Sequence, residues 1–112
     1  MKVQFNAQQP TFTASVEPKF ENAMRRFINS GENRLKNNHR LTSKIEEFKG
    51  FGYNDYTIKL EQKYHAVGTE YKMKAVSEKN EVVLANRSSF RRIVDSFLNF
   101  DKQEFADRMR NV

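Results

Sequence analysis

The residues that most often carry acid–base or metal chemistry are scarce in this chain, which has two histidines and no cysteine. His39 and His65 fall on different predicted elements, and neither has a partner at the spacing of a catalytic triad or a metal site. Adjacent residues point in different directions on a helix, so Glu46 and Glu47 do not resemble a carboxylate dyad. The sequence therefore predicts no catalytic residue, no metal site and no cofactor, and we expect a protein that is not an enzyme.

Charge, in contrast, is concentrated in one stretch. The twenty residues from Arg25 to Lys44 hold six Lys or Arg and a single acid, Glu32, and so contain a net +5 of the chain's +6. Helices whose charges serve only solubility usually interleave acids at i+4. The stretch predicts a phosphate-binding surface, with these candidates: Arg25, Arg26, Arg34, Lys36, Arg40 and Lys44, and as secondary candidates the strand residues Lys72 and Lys74.

Three of the candidates share a spacing. Lys36, Arg40 and Lys44 stand at i, i+4 and i+8, which predicts one basic line along a helix. Two tyrosines add a possible stacking function. We predict Tyr53 in a loop and interpret Tyr64 as lying on the polar side of its strand.

Length and composition set the class of protein. A chain of 112 residues is predicted to form one domain, 1–112, and 30% charged with 38% hydrophobic residues is a globular mixture. A pI near 9.7 favours nucleic acids, anionic membrane surfaces or acidic proteins as partners. There is no apolar run of membrane-spanning length and no signal-peptide core, so we expect a cytoplasmic protein without a membrane partner.

Hydrophobic periodicity then predicts the elements before the sheet. A strand is predicted at residues 2–5, followed by a helix that Ser15 caps and that ends near Gly31. Asn33 is predicted to cap a second helix that ends in "KGFG". Its apolar stripe is predicted to consist of Leu35, Leu41, Ile45 and Phe48.

The second half of the sequence alternates and then returns to helical spacing. Strands are predicted at 56–64, 70–76 and 81–85, with one apolar face and one Lys-rich face, followed by a helix from about Ser88. Asp101 and Glu104 form a predicted capping box for a terminal helix, with Phe100 and Phe105 as a hydrophobic staple. The predicted fold is α+β, an antiparallel sheet of about four strands in the order β-α-α-β-β-β-α-α, with the helices packed on one face.

Three stretches resemble the short ribosome hibernation factors, the hibernation-promoting factor and ribosome-associated inhibitor proteins. They are "VQFNAQQPTFTASVEPKF", "SKIEEFKGFGYNDYTIKLEQK" and "VVLANRSSFRRIVDSF". The resemblance implies binding in the small ribosomal subunit where mRNA and tRNA lie, so that translation stops without chemistry. It carries Lys44 over to the family's first helix, and much of the basic stretch is an insertion relative to that helix.

Two other classes stay open. "EFKGFGYNDYTIKL" and "EYKMKAV" followed by "EVVLANR" resemble the strand block of RelE/ParE-like toxins, which implies mRNA cleavage or gyrase inhibition. Arg87, Arg91 and Arg92 would be available there, although no histidine lies near the last strand to accept a proton. A phage or mobile-element inhibitor of a host defence nucleoprotein, of the anti-CRISPR or anti-restriction type, also fits the small size and high charge. The partner is thus RNA, the ribosome or another nucleoprotein complex, and the oligomeric state is not predicted.

Overall fold

A computed structural model describes residues 15–50 and 55–110 of the chain. The elements in these ranges are β1 (Ser15–Val16), α1 (Pro18–Asn29), α2 (Arg34–Lys49), β2 (Thr57–His65), β3 (Gly68–Val76), β4 (Glu81–Arg87), α3 (Phe90–Asn99) and α4 (Lys102–Met109). The α+β class and the element order are confirmed. The strand predicted at 2–5 lies outside the described residues.

The first described strand, β1, lies at a position where the alternation of apolar and polar residues did not predict a strand. Ser15 was predicted to cap α1, and this was wrong: Ser15 belongs to β1, and Glu17 is the N-cap of α1 without a side-chain hydrogen bond. Pro18 opens the helix at a position where its missing N–H costs nothing. A strand of two residues is too short to show a period in sequence.

The sheet has the order β1-β2-β3-β4 and is mixed, so the prediction of a purely antiparallel sheet needs correction. β1 runs parallel to β2, whereas β2, β3 and β4 are antiparallel neighbours. The parallel pair arises because α1 and α2 together form a crossover that brings the chain back in the same direction.

The register of the two hairpins separates the faces of the sheet. Ile58 lies opposite Ala75 and Leu60 opposite Met73, which places these side chains on the face that the helices cover. The intervening residues, including Lys59 and Lys74, lie on the other face. The prediction of one apolar and one Lys-rich face is confirmed.

Aromatic rings dominate the core between sheet and helices. Phe48 of α2 stacks on Phe97 of α3 with 5.0 Å between ring centroids. Phe105 of α4 packs edge-on against Phe48, with 5.7 Å between ring centroids. The T-shaped pair of Phe20 and Phe97 at 5.9 Å extends this packing to α1. Rings in these arrangements add to the stabilisation from buried area.

The start of α4, the last helix, has the cap and the hydrophobic contact that the sequence predicts. Asp101 Oδ1 accepts a hydrogen bond from the Glu104 backbone N–H at 2.7 Å, and the rings of Phe100 and Phe105 meet edge to face at 6.3 Å. The predicted cap and staple of α4 are confirmed. Within the described ranges, none of the helices is long and apolar enough to cross a membrane.

Leu35 is a correction to the predicted apolar stripe of α2. Its side chain is 90% exposed, whereas Leu41 and Phe48 are buried. The reason is geometric: Asn38 Nδ2 donates to Oδ1 of Asn29, the last residue of α1, at 2.7 Å. The first turn of α2 therefore extends past the end of α1 and has no core to face.

Candidate nucleic-acid interface

Arg25 is engaged within the fold. Its Nε lies 2.9 Å from Glu21 Oε2, and its terminal nitrogens donate to Asn38 Oδ1 and Thr42 Oγ1 at 3.2 Å each. Because the guanidinium offers several donors in a fixed plane, one side chain can join α1 to α2 in this way. Arg25 therefore connects two helices, and its charge is compensated by Glu21.

Lys44 is also held inside the fold. Its Nζ lies 2.8 Å from Glu47 Oε1 and donates to the Phe100 carbonyl oxygen at 2.6 Å, and the side chain is only 13% exposed. Phe100 is the C-cap of α3, where carbonyl groups lack partners inside the helix. Lys44 thus satisfies a helix terminus, and the predicted exposed line of Lys36, Arg40 and Lys44 is wrong at its last member.

The charge imbalance of the sequence is smaller in three dimensions. Glu21 lies just before the basic stretch and Glu47 just after it, and each carboxylate pairs with a cation inside it. No described acid lies within ion-pair distance of the remaining four candidates: Arg26, Arg34, Lys36 and Arg40. These four carry the positive charge that a ligand could use.

Three of the four are exposed on the first two turns of α2, and we term this set the α2 basic face: Arg34, Lys36 and Arg40. Lys36 and Arg40, at i and i+4, lie on the same side of the helix, and Arg34 lies on another side of its first turn. The first turn of α2 contains no acid, and Asn33 precedes it in a left-handed conformation with φ 58° and no side-chain cap hydrogen bond. The amides of an uncapped first turn add partial positive charge. The local field of this helix end therefore reinforces the side chains.

Arg40 also borders a groove with α3. The groove has a volume of about 350 Å³, and Arg91 of α3 lies on its other side. Two acids, Glu32 and Asp95, line it as well, so the groove itself is not a basic pocket. Arg91 was not among the predicted binding residues, because only the packing of α3 beside α2 brings it to Arg40.

Arg26 belongs to a different surface. With Lys19 of α1 and Lys59 of β2, it lines a groove of about 470 Å³ between the helix and the sheet edge. The predicted cluster is therefore divided: Arg25 and Arg26 are adjacent in sequence, but one faces α2 and the other faces β2. Lys19 was not a candidate from the sequence because it lies outside the basic stretch, and Lys59 was expected only as part of the Lys-rich face of the sheet.

Lys72 and Lys74 lie on the open face of the sheet, away from the α2 basic face. Lys74 Nζ is 2.9 Å from both Glu61 Oε1 and Glu81 Oε1, and these hydrogen-bonded carboxylates raise the pKa of Lys74. The same contact lowers the pKa of Glu61. Lys72 lies directly opposite Glu61 in the register. The open face is thus rich in lysine but largely compensated.

The aromatic and imidazole candidates also have definite places. Tyr64 is 80% exposed, but it pairs with Thr69 and shares the side of Leu60, so the predicted polar phase was wrong. Tyr53 lies outside the described residues. His65 Nε2 lies 3.2 Å from Glu70 Oε1 at the end of the hairpin, and His39 is exposed on α2. In the described part of the chain, no group of three or more metal-binding side chains is close enough to hold an ion.

Comparison with known proteins identifies no relative of this chain. The chain matches no protein-family model, no curated protein and no solved structure. The resemblance to hibernation factors stays a prediction from the three sequence stretches.

Proposed function

We propose that this protein binds the phosphate backbone of RNA through the α2 basic face, with the ribosome as first target. Binding there would inhibit translation by occupying a site, without chemistry. The observation that carries the proposal is the contrast within one stretch: Arg34, Lys36 and Arg40 are exposed without a described acidic partner, whereas Arg25 and Lys44 are paired.

The geometry of α2 supports phosphate contact. The three side chains project from two successive turns at one end of the helix, where the uncapped amides add to the positive field. Because Leu35 has no core contact, this end of α2 extends beyond the body of the domain and is accessible to a large partner. A convex basic helix end can approach a phosphate backbone without a preformed pocket.

Arg91 extends the surface across the groove. A strand of RNA that contacts Arg40 would pass Arg91 on α3, while Glu32 and Asp95 would keep phosphates out of the groove itself. The proposal therefore places the backbone along the rim of the groove. Contacts of this kind position nucleic acid and carry no sequence information.

The test is the salt dependence of binding. Affinities for small ribosomal subunits and for a single-stranded RNA are measured from about 50 to 300 mM KCl, and each phosphate contact adds roughly 0.7 to the log–log slope for single strands. K36E/R40E is expected to weaken binding and to lower the slope by about 1.4. Affinity and slope equal to those of the unchanged protein would refute the proposal.

A matched control separates the surface from the overall charge. Lys79 and Lys102 are exposed and have no acid within ion-pair distance among the described residues, so K79E/K102E changes the net charge by the same amount. This variant is expected to keep the salt slope of the unchanged protein. An equal loss in both variants would mean that net charge alone drives binding and would overturn the assignment to α2.

The same preparation distinguishes the other classes of function. Incubated with translating ribosomes, a binder that acts by occupancy leaves mRNA intact, whereas a toxin of the RelE type cuts it. An inhibitor of a defence nucleoprotein would bind its target without stopping translation. Intact mRNA together with inhibited translation is the result that the proposal requires.

A further inference from the structure

Among residues 15–50 and 55–110, one edge of the sheet has no pairing strand over most of its length. β1 pairs with β2 only at Thr57 and Ile58, and among the described residues no strand lies beside β2 from there to His65. The unpaired length is comparable to an ordinary strand of about five or six residues. It is long enough to accept one.

The direction of the free backbone groups follows from the bonds that β1 makes. Ser15 N–H donates to the Tyr56 carbonyl at 3.1 Å, and Glu17 N–H donates to the Ile58 carbonyl at 2.9 Å. Backbone groups alternate in direction along a strand. The N–H and C=O groups of Leu60, Gln62 and Tyr64 therefore point to the same outer edge, where no described backbone group pairs with them.

The opposite edge of the sheet differs. β4 packs against α3 and α4, and its pairing with β3 is interrupted by an irregularity at Met73 and Lys74. Covering helices and bulges are devices that protect edge strands from pairing with other chains. The edge of β2 between Leu60 and Tyr64 has neither device among the described residues.

A groove runs beside this open edge. It lies between α1 and β2, has a volume of about 470 Å³, and is lined by the apolar side chains of Phe20, Ala23 and Leu60. Three cations line it as well: Lys19, Arg26 and Lys59. Among the described residues that line the groove, Glu17 is the single acid. No described carboxylate lies within ion-pair distance of the three cations.

We propose that an extended acidic segment of a partner protein adds to this edge as a fifth strand. Its backbone would pair with Leu60, Gln62 and Tyr64, and its apolar side chains would enter the groove over Phe20 and Ala23. Arg26 approaches from the helix layer and Lys59 from the open face, so acidic side chains on both sides of the added strand find a cation. Main-chain bonds would supply affinity and the cations would supply selectivity.

Backbone chemistry favours a peptide over a nucleic acid at this edge. Each outward residue offers one donor and one acceptor, and a peptide strand offers the same alternation. A phosphate backbone supplies acceptors, which would leave the outward carbonyl groups of Leu60, Gln62 and Tyr64 without donors. The site is therefore distinct in chemistry from the α2 basic face.

The test uses as its probe a fluorescein-labelled peptide of about eight residues, in which Val occupies two central positions of one face and Glu occupies the remaining positions on both faces. Fluorescence anisotropy should show that it binds at least about tenfold more tightly than the same peptide with Lys in place of Glu. N-methylation of the peptide at alternate residues should abolish binding, because it removes the bonds to the edge. Equal affinity of the Glu and Lys peptides, or of the N-methylated peptide, would overturn the proposal.

Two variants test the protein's side of the interface. Gln62→Pro removes an N–H that points away from β3, a position where edge strands tolerate proline, and should weaken binding by at least about tenfold. Arg26→Glu should weaken it similarly, whereas Lys79→Glu, the same charge change at a distant turn, should leave it unchanged. A similar loss in Lys79→Glu and Arg26→Glu would refute the proposed location.

Hydrogen exchange tests the proposal on the unchanged protein, so the result does not depend on whether a variant folds. The amides of Leu60, Gln62 and Tyr64 should exchange rapidly in the free protein and slow down when the acidic peptide is bound. Slow exchange in the free protein would mean that the edge is already filled by this chain or a second copy, and would overturn the proposal. Slowing by single-stranded RNA in place of the peptide would also overturn it.

Discussion

The α2 basic face and the open face of the sheet are both rich in basic residues, yet they differ in how their charge is compensated. On the sheet, the register places Lys72 opposite Glu61 and Lys63 opposite Glu70. On α2, the pairing acids lie at the ends of the basic stretch, and the exposed turns between them have none. The difference shows that the number of lysines and arginines on a surface does not measure the charge available to a ligand.

The largest expected effect concerns Lys44, which sequence spacing had placed with Lys36 and Arg40. Lys44→Ala should lower the free energy of unfolding by about 2 kcal/mol, because the partly buried carbonyl of Phe100 loses its charged donor. Urea denaturation measures the loss. RNA affinity and its salt slope should stay unchanged.

Lys36→Ala is the matched control for that variant. It should change stability by no more than about 0.5 kcal/mol and lower the salt slope of RNA binding by about 0.7. If Lys44→Ala weakens RNA binding as much as Lys36→Ala, the division between paired and available cations is wrong.

The next effect concerns the neighbouring residues Arg25 and Arg26. Arg25→Ala should cost about 1 kcal/mol of stability, since it removes the ion pair with Glu21 on the same helix and the hydrogen bonds that join α1 to Asn38 and Thr42 of α2. Thermal unfolding monitored by circular dichroism tests this. Arg26→Ala removes the same charge from an exposed groove and should leave stability within about 0.5 kcal/mol, so equal losses would contradict the assignment.

A smaller effect is expected when the carboxylates that pair with Lys74 on the open face of the sheet are neutralised. In E61Q/E81Q the two carboxylates that pair with Lys74 become neutral, and the open face should gain RNA affinity of a few-fold with a slope steeper by about 0.7. Anisotropy titrations at several salt concentrations measure the gain. D55N/E78Q neutralises two exposed acids without described ion pairs and should produce a smaller gain without a steeper slope.

The smallest expected effect is the pH dependence of the same face. Hydrogen bonds from Lys74 and from Asn86 hold the pKa values of Glu61 and Glu70 below their ordinary range. The unfolded chain then binds more protons than the folded one, so this stabilisation is present above pH of about 4.3 and is lost as the pH falls below it. Urea midpoints at pH 6 and pH 3 should differ less in E61Q/E70Q than in the unchanged protein, and an identical pH dependence would contradict the pairing.

The element order could be predicted because each element after Pro18 shows its period locally. Alternation marks β2 and β3, and the cap at Asp101 with its staple of Phe100 and Phe105 is written within six residues. β1 could not be found in this way, because two residues show no alternation and the parallel pairing depends on a strand more than forty residues later. Leu35 was misplaced because helical spacing does not reveal where a supporting helix ends.

The candidate site was only partly predictable for a related reason. The Glu21–Arg25 pair follows i, i+4 spacing and could have been recognised in the sequence. The bond from Lys44 to Phe100 joins residues 56 positions apart and depends on how α2 packs against the junction of α3 and α4. The same holds for Arg91 and Arg40 and for Lys59 and Arg26, because only tertiary packing brings each pair to the same groove.

The stacked rings of the core also determine the order in which this chain can fold during synthesis. Phe20 and Phe48 leave the ribosome first, but the rings that cover them, Phe97 and Phe105, belong to α3 and α4. A nascent chain that contains only α1 and α2 therefore keeps large apolar side chains in contact with water, and native packing begins only after the last helix emerges. We therefore expect the native packing of α1 and α2 to be complete only once α3 and α4 are in place.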